Sequence, residues 1–168
     1  DETTRHVISG GVYELLRDRD QWNALQQNRE LLPTAVEEML RWVTPIKNMA
    51  RLATTDVELG GQMISAGEKV ILLYPSANRD EAVFEDASRF DIARSPNEHV
   101  AFGFGAHFCL GANLARVELR VVLEKLLDRL PDLSLAGPGA PENRASNFVS
   151  GYESLPVRFT PTVPVGNG

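Results

Sequence analysis

The stretch Phe102-Gly103-Phe104-Gly105-Ala106-His107-Phe108-Cys109-Leu110-Gly111 decides how the rest of the sequence is read. It holds the only cysteine of the 168-residue chain. Directly after it, Leu110, Leu114, Val117 and Val121 recur at helical spacing, and Leu119, Val122, Leu123, Leu126, Leu127 and Leu130 widen the apolar stripe. A helix is expected over Leu110 to Leu130, ended by Pro131. A cysteine just ahead of a helix N-terminus meets unpaired N–H groups and the positive end of the helix dipole, and both favour a thiolate. Glycines at 103, 105 and 111 permit tight turns and close approach to a flat ligand. Phe102, Phe104 and Phe108 would line and dry such a site.

The residues alone leave three readings of Cys109 open. It can be an inert thiol in a loop, a nucleophile paired with His107, or the thiolate ligand of a metal. Side chains at i and i+2 of a tight loop seldom meet, which weakens the pairing with His107.

Working outward, residues 1 to about 18 read as a helix with an apolar stripe of Val7, Ile8, Val12, Leu15 and Leu16, interrupted at Gly10-Gly11. Asp20 is placed to cap a short helix through Gln27, and Pro33 suits the first turn of a helix running Thr34 to Trp42. Arg51 to Leu59, Met63-Ile64 and Lys69 to Tyr74 read as strands, with a hairpin turn at Gly60-Gly61. Ser76 to Arg89 reads as a short helix, Asn97 to Cys109 as irregular, and Asn147 to Thr160 as a β-hairpin around Gly151. Helices, then strands, then a helix, then strands make an α+β protein, mainly α.

A net charge of −6 excludes the basic face of a nucleic-acid binder. No run of about 18 apolar residues exists to span a membrane. A lone cysteine cannot form an internal disulfide, so a cytoplasmic setting is expected.

The segment FGFGAHFCLGANLAR resembles the signature of the cytochrome P450 family, FGxGxHxCxG followed by a helix. Three further segments match in the family's order. These are Glu38-Met39-Leu40-Arg41 as its E-x-x-R, Arg51 on the strand after Pro45, and Asp1-Glu2-Thr3-Thr4 as the end of its oxygen-binding helix. The resemblance implies the C-terminal part of the P450 fold. That part comprises the end of the oxygen-binding helix, the E-x-x-R helix, small β-sheets, the cysteine loop and the long helix after it.

By the same resemblance the cofactor is haem b, with Cys109 as its axial thiolate and metal ligand. Phe102 and Gly111 lie beside the sulfur, while Arg51, His107 and His99 contact the propionates. Glu38 and Arg41 form a buried structural network with Arg89 as third member, although Ala87 stands where the family more often has Pro. Glu2 is the acid and Thr3 the alcohol of a proton relay. Val43, Ile46, Met49, Phe148 and Val149 face an apolar substrate. The strings EEMLRW, PIKNMAR and NFVSGYESLPV are similar to the group that hydroxylates sterol side chains.

The implied activity is monooxygenation, with electrons from a ferredoxin and its reductase. Arg116 and Arg120 either offer a contact for an acidic partner or form a solvated basic stripe. The chain opens in mid-helix and matches only the family's C-terminal portion. Residues 1–168 are therefore expected to be part of one P450 domain whose N-terminal portion is another chain or was lost. The alternative function is a catalytically silent haem-binding fragment without the distal lid.

Overall fold

In the computed structural model, which describes residues 2–161, helix α1 runs Glu2–Arg17 without a break. Gly10 and Gly11 do not interrupt it. They are buried where α1 crosses α3 (Leu32–Val43), Gly10 against Val43 and Gly11 against Met39. A Cβ at Gly11 would overlap the Met39 side chain, so the glycines let two helices approach closely.

Helix α2 spans Arg19–Gln27 and contributes Trp22 and Leu25, both fully buried. Asp18, not Asp20, holds the N-cap position, and Asp20 lies in the first turn, where its charge suits the helix dipole. Asn28 ends α2, and its side chain accepts from the Glu30 amide to start a 3₁₀ turn, Arg29–Leu31, that leads into α3.

Four strands follow. β1 (Asn48–Leu52) pairs antiparallel with β4 (Lys69–Leu73), placing Arg51 opposite Val70. β2 (Val57–Leu59) and β3 (Gln62–Ile64) form a separate hairpin through Gly60 and Gly61, whose φ values of 58° and 79° require glycine-like freedom. The single strand expected over Arg51 to Leu59 is therefore two, split by a bend at residues 53–56.

The helix expected over Ser76 to Arg89 is reduced to α4, Tyr74–Ala77. Beyond it the chain runs in turns fixed by carbonyls that accept from Arg41. Tertiary hydrogen bonds have overridden helix propensity there.

Helix α5 spans Ala112–Arg129. Its buried face is Ala112, Leu119, Leu123 and Leu127, which pack into the core with Leu15, Trp22, Leu25 and Met39. Leu110, Leu114, Val117 and Val121, expected to mark the core stripe, are exposed. The helix is thus apolar on two faces, and only one is covered by this chain.

The hairpin expected around Gly151 is not formed. β6 (Val157–Arg158) pairs with β5 (Ser134–Leu135), and Val149 and Tyr152 bridge Ile46 and Asn143. The tail thereby ties itself to Ile46, to β5 and to the nearby Asn143. No described helix is long and apolar enough to cross a membrane.

Candidate functional site

The cysteine loop is built by its own backbone. Gly103 and Gly105 both take φ of +70°, and residues 105–107 form one 3₁₀ turn. The Cys109 amide donates to the Phe102 carbonyl (2.9 Å), and the Cys109 carbonyl accepts from Ala112 as α5 begins (3.2 Å). Cys109 is an exposed free thiol. Gly111 has an ordinary φ of −85°, and a Cβ there would stand in ordinary contact, 3.9 Å from the Cys109 sulfur.

The thiol lines a cavity of about 800 Å³. Val7, Leu40, Ile46, Met49, Phe102 and Leu119 give it an apolar wall. Thr3 reaches it from α1, Arg51 from β1, and His107 and Gly111 from the cysteine loop and helix start. Eight of the residues expected at the site, Thr3, Ile46, Met49, Arg51, Phe102, His107, Cys109 and Gly111, are brought together in this one cavity. The Arg51 guanidinium bonds only the neighbouring Ala50 carbonyl and has no carboxylate partner among the described residues.

Other expected residues lie elsewhere. Glu2 is exposed and pairs with Arg5 (3.8 Å) and Arg144 (3.4 Å). His99 is turned away from the cavity: its Nε2 meets Glu37 Oε2 at 3.0 Å, and its Nδ1 accepts from the Ala101 amide. Phe104 is 82% exposed and Phe108 is also exposed, so Phe102 alone of the three phenylalanines lines the cavity. Phe148 and Val149 do not line it, although the Phe148 carbonyl accepts from Lys47 and Val149 bridges Ile46. Val43 lines a separate polar cavity of about 160 Å³ with His6, Glu14 and Lys47. The His6 ring nitrogens there have no hydrogen-bond partner among the described residues, and burial lowers the His6 pKa.

Glu38 and Arg41 form a two-pronged ion pair, 2.7 and 2.8 Å, with both side chains fully buried. Arg41 also donates to the carbonyls of Asn78, Ala87 and Arg89. Arg89 therefore joins through its backbone; its side chain is not the third charge, because residue 89 sits on an exposed turn. That place belongs to Arg94, 3.2 Å from Glu38, assisted by Asn97 and the Asp91 amide. An arginine on an irregular segment has no periodicity to announce it, which is why the sequence did not single out Arg94.

Arg116 is not a free surface cation. Its guanidinium grips Glu37 through two hydrogen bonds, 2.6 and 2.8 Å, and lies over the Phe102 ring at 4.7 Å. Arg120 pairs with Glu124 on its own helix. Partial burial pushes the Glu37 carboxyl up, but hydrogen bonds from Arg116 and His99, with the Arg116 charge, outweigh it and hold the pKa at about 2.

Residues 2–144 match the family model described as Cytochrome P450. The chain belongs to the cytochrome P450 family. It is 58% identical to a steroid C26-monooxygenase of Mycobacterium tuberculosis over 99% of this chain and 45% of that protein. It is 46% identical to a linalool 8-monooxygenase of Pseudomonas putida over 95% of this chain and 39% of that protein. Among solved structures it matches CYP109E1 from Bacillus megaterium in complex with testosterone, with a TM-score of 0.90 and 41% identity over 94% of this chain and 44% of that one. This P450 chain thus spans less than half the length of these relatives.

The residues present fit the family's haem. Among the described residues no group of three His, Cys, Asp or Glu side chains could hold a metal ion, so the fit rests on Cys109 and the cavity it lines. The apolar wall suits a flat macrocycle, and Arg51 and His107 offer donors for its carboxylates.

Proposed function

We propose that the protein carrying this chain is a haem-thiolate monooxygenase that inserts one oxygen atom of dioxygen into an apolar substrate. The observation that carries the reading is that the Cys109 thiol and the Thr3 hydroxyl line one apolar cavity of about 800 Å³. Bound there, haem b supplies the iron that activates dioxygen. Cys109 would hold the iron through its sulfur, and donation from a thiolate favours O–O cleavage. Arg51 and His107 would orient the cofactor by donating to its propionates. Thr3 would pass protons through its hydroxyl, as general acid catalysis requires. Glu2, at the surface with Arg5 and Arg144, would feed that relay from solvent. The apolar wall would favour an apolar occupant over water.

A sterol-like substrate is the finer reading. It is supported by the 58% identity to the steroid C26-monooxygenase and by the likeness to a structure that holds testosterone. Electrons would come from a ferredoxin and its reductase, and the setting would be cytoplasmic. Residues 1–168 would be the C-terminal portion of one P450 domain, a reading supported by the 45% share of the relative and the uncovered face of α5.

The reduced carbon-monoxide spectrum tests the assignment: a red-shifted Soret band is expected, and haem bound without it rejects Cys109 as ligand. A type-I spectral shift with sterols and not with fatty acids is expected; the reverse pattern overturns the sterol reading.

A further inference from the structure

Glu37 and Glu38 are consecutive on α3, so helix geometry sets them about 100° apart around its axis. Glu38 holds Arg41 and Arg94, and Glu37 serves a different segment. Its carboxylate accepts two hydrogen bonds from Arg116 of α5 and meets His99 Nε2 at 3.0 Å. The Arg116 guanidinium covers the Phe102 ring at 4.7 Å, and the His99 ring, 2% exposed at its side chain, stands 6.0 Å from the same phenylalanine. The Phe102 carbonyl accepts the Cys109 amide.

These contacts form one chain from α3 to the sulfur-bearing residue. We infer that Glu37, Arg116 and His99 are a clamp that positions Phe102, and through it the backbone N–H of Cys109 and the apolar cavity wall beside its sulfur. The inference rests on the haem-thiolate reading.

The physical case has three parts. A bidentate carboxylate fixes the plane of a guanidinium, and only a fixed plane stacks on a ring; lysine offers neither the fork nor the plane. His99 fixes the Glu37 carboxylate from a second side, because the Ala101 amide donates to Nδ1 and leaves Nε2 to donate to Glu37. A metal thiolate is tuned by the hydrogen bonds and burial around its sulfur, so loosening Phe102 must change the electronics at iron. The clamp also accounts for Arg116 without a redox partner, since its charge is already neutralised within the chain.

The test uses the haem-loaded protein carrying this chain, with midpoint potential and the lifetime of the reduced carbonyl band as readouts. Arg116→Ala and Glu37→Gln are expected to shift the potential and to speed decay of the thiolate band about tenfold, the range seen when a metal ligand loses its outer partner. Arg116→Lys restores neither, because charge alone is insufficient. Arg120→Ala, on the same helix but paired with exposed Glu124, leaves both unchanged. Should Arg116→Ala lose haem outright, Arg116→Lys and Glu37→Gln carry the test on the same readouts. Variants that keep the original potential and lifetime, and alter only melting or donor binding, overturn the clamp. Absence of the thiolate band from the unaltered protein overturns the haem reading itself, and the clamp with it.

Discussion

The amide of Cys109 donates to the carbonyl of Phe102 at 2.9 Å, closing a loop of eight residues on itself. The thiol is therefore presented by backbone hydrogen bonding. Its own side chain makes no hydrogen bond among the described residues and is free to take a ligand. Cys109→Ser should then leave stability within about 0.5 kcal/mol, as expected for an exposed side chain without partners. It should abolish the red-shifted carbonyl band. Urea unfolding of the protein without haem and the carbonyl spectrum of the loaded protein separate the two effects.

The Glu38–Arg41 pair is a different kind of element. Both side chains are at 0% exposure, and Arg41 satisfies three further carbonyls. Removing one partner of a buried pair strands the other charge, which typically costs about 3–5 kcal/mol. Arg41→Leu should cost that much or prevent folding, and should loosen the segment from Asn78 to Arg89 before the helices. Denaturant unfolding gives the first result, and hydrogen exchange of residues 78–89 the second.

Gly11→Ala sets two effects against each other. Alanine raises helix propensity by about 1 kcal/mol, which alone would stabilise α1. The new Cβ overlaps Met39, and overpacking a core costs about 1–3 kcal/mol. The steric effect should win, so the variant melts lower. Gly11→Ala with Met39→Ala should be less destabilised than the sum of the two single changes, since each relieves the other's volume error.

Glu37 makes stability depend on pH in a defined direction. Its folded pKa of about 2 lies below the ordinary value of 4.5. A depressed carboxyl binds fewer protons when folded, so its contribution is full above the ordinary value and is lost as pH falls toward about 2. Glu37→Gln should flatten the stability profile between about pH 5 and pH 3 relative to the unaltered protein. Parallel urea titrations of both proteins across that window measure the difference.

Much of this was legible in the residues. Cys109, Arg51, Thr3 and the Glu38–Arg41 pair sit in short motifs that can be read directly from the sequence, and the structure places the first three on one cavity and buries the last. The misses share a cause. Arg94 and Asn97 act from irregular segments and Glu37 from the helix position beside the motif residue Glu38, and only tertiary folding brings them to their partners. The stripe Leu110, Leu114, Val117 and Val121 obeys helical periodicity yet faces outward, because periodicity reports that a face is apolar and not which partner covers it. The family resemblance implies a propionate contact for His99, whereas its ring meets Glu37.

The large cavity draws its wall from α1, β1, the cysteine loop and α5, segments separated by more than half the chain. Whatever fills it is a staple across sequence-distant parts. Occupancy then adds to the folding free energy by mass action, about 2.7 kcal/mol at a hundredfold excess over the dissociation constant. Supply of that occupant and resistance to unfolding are then thermodynamically linked.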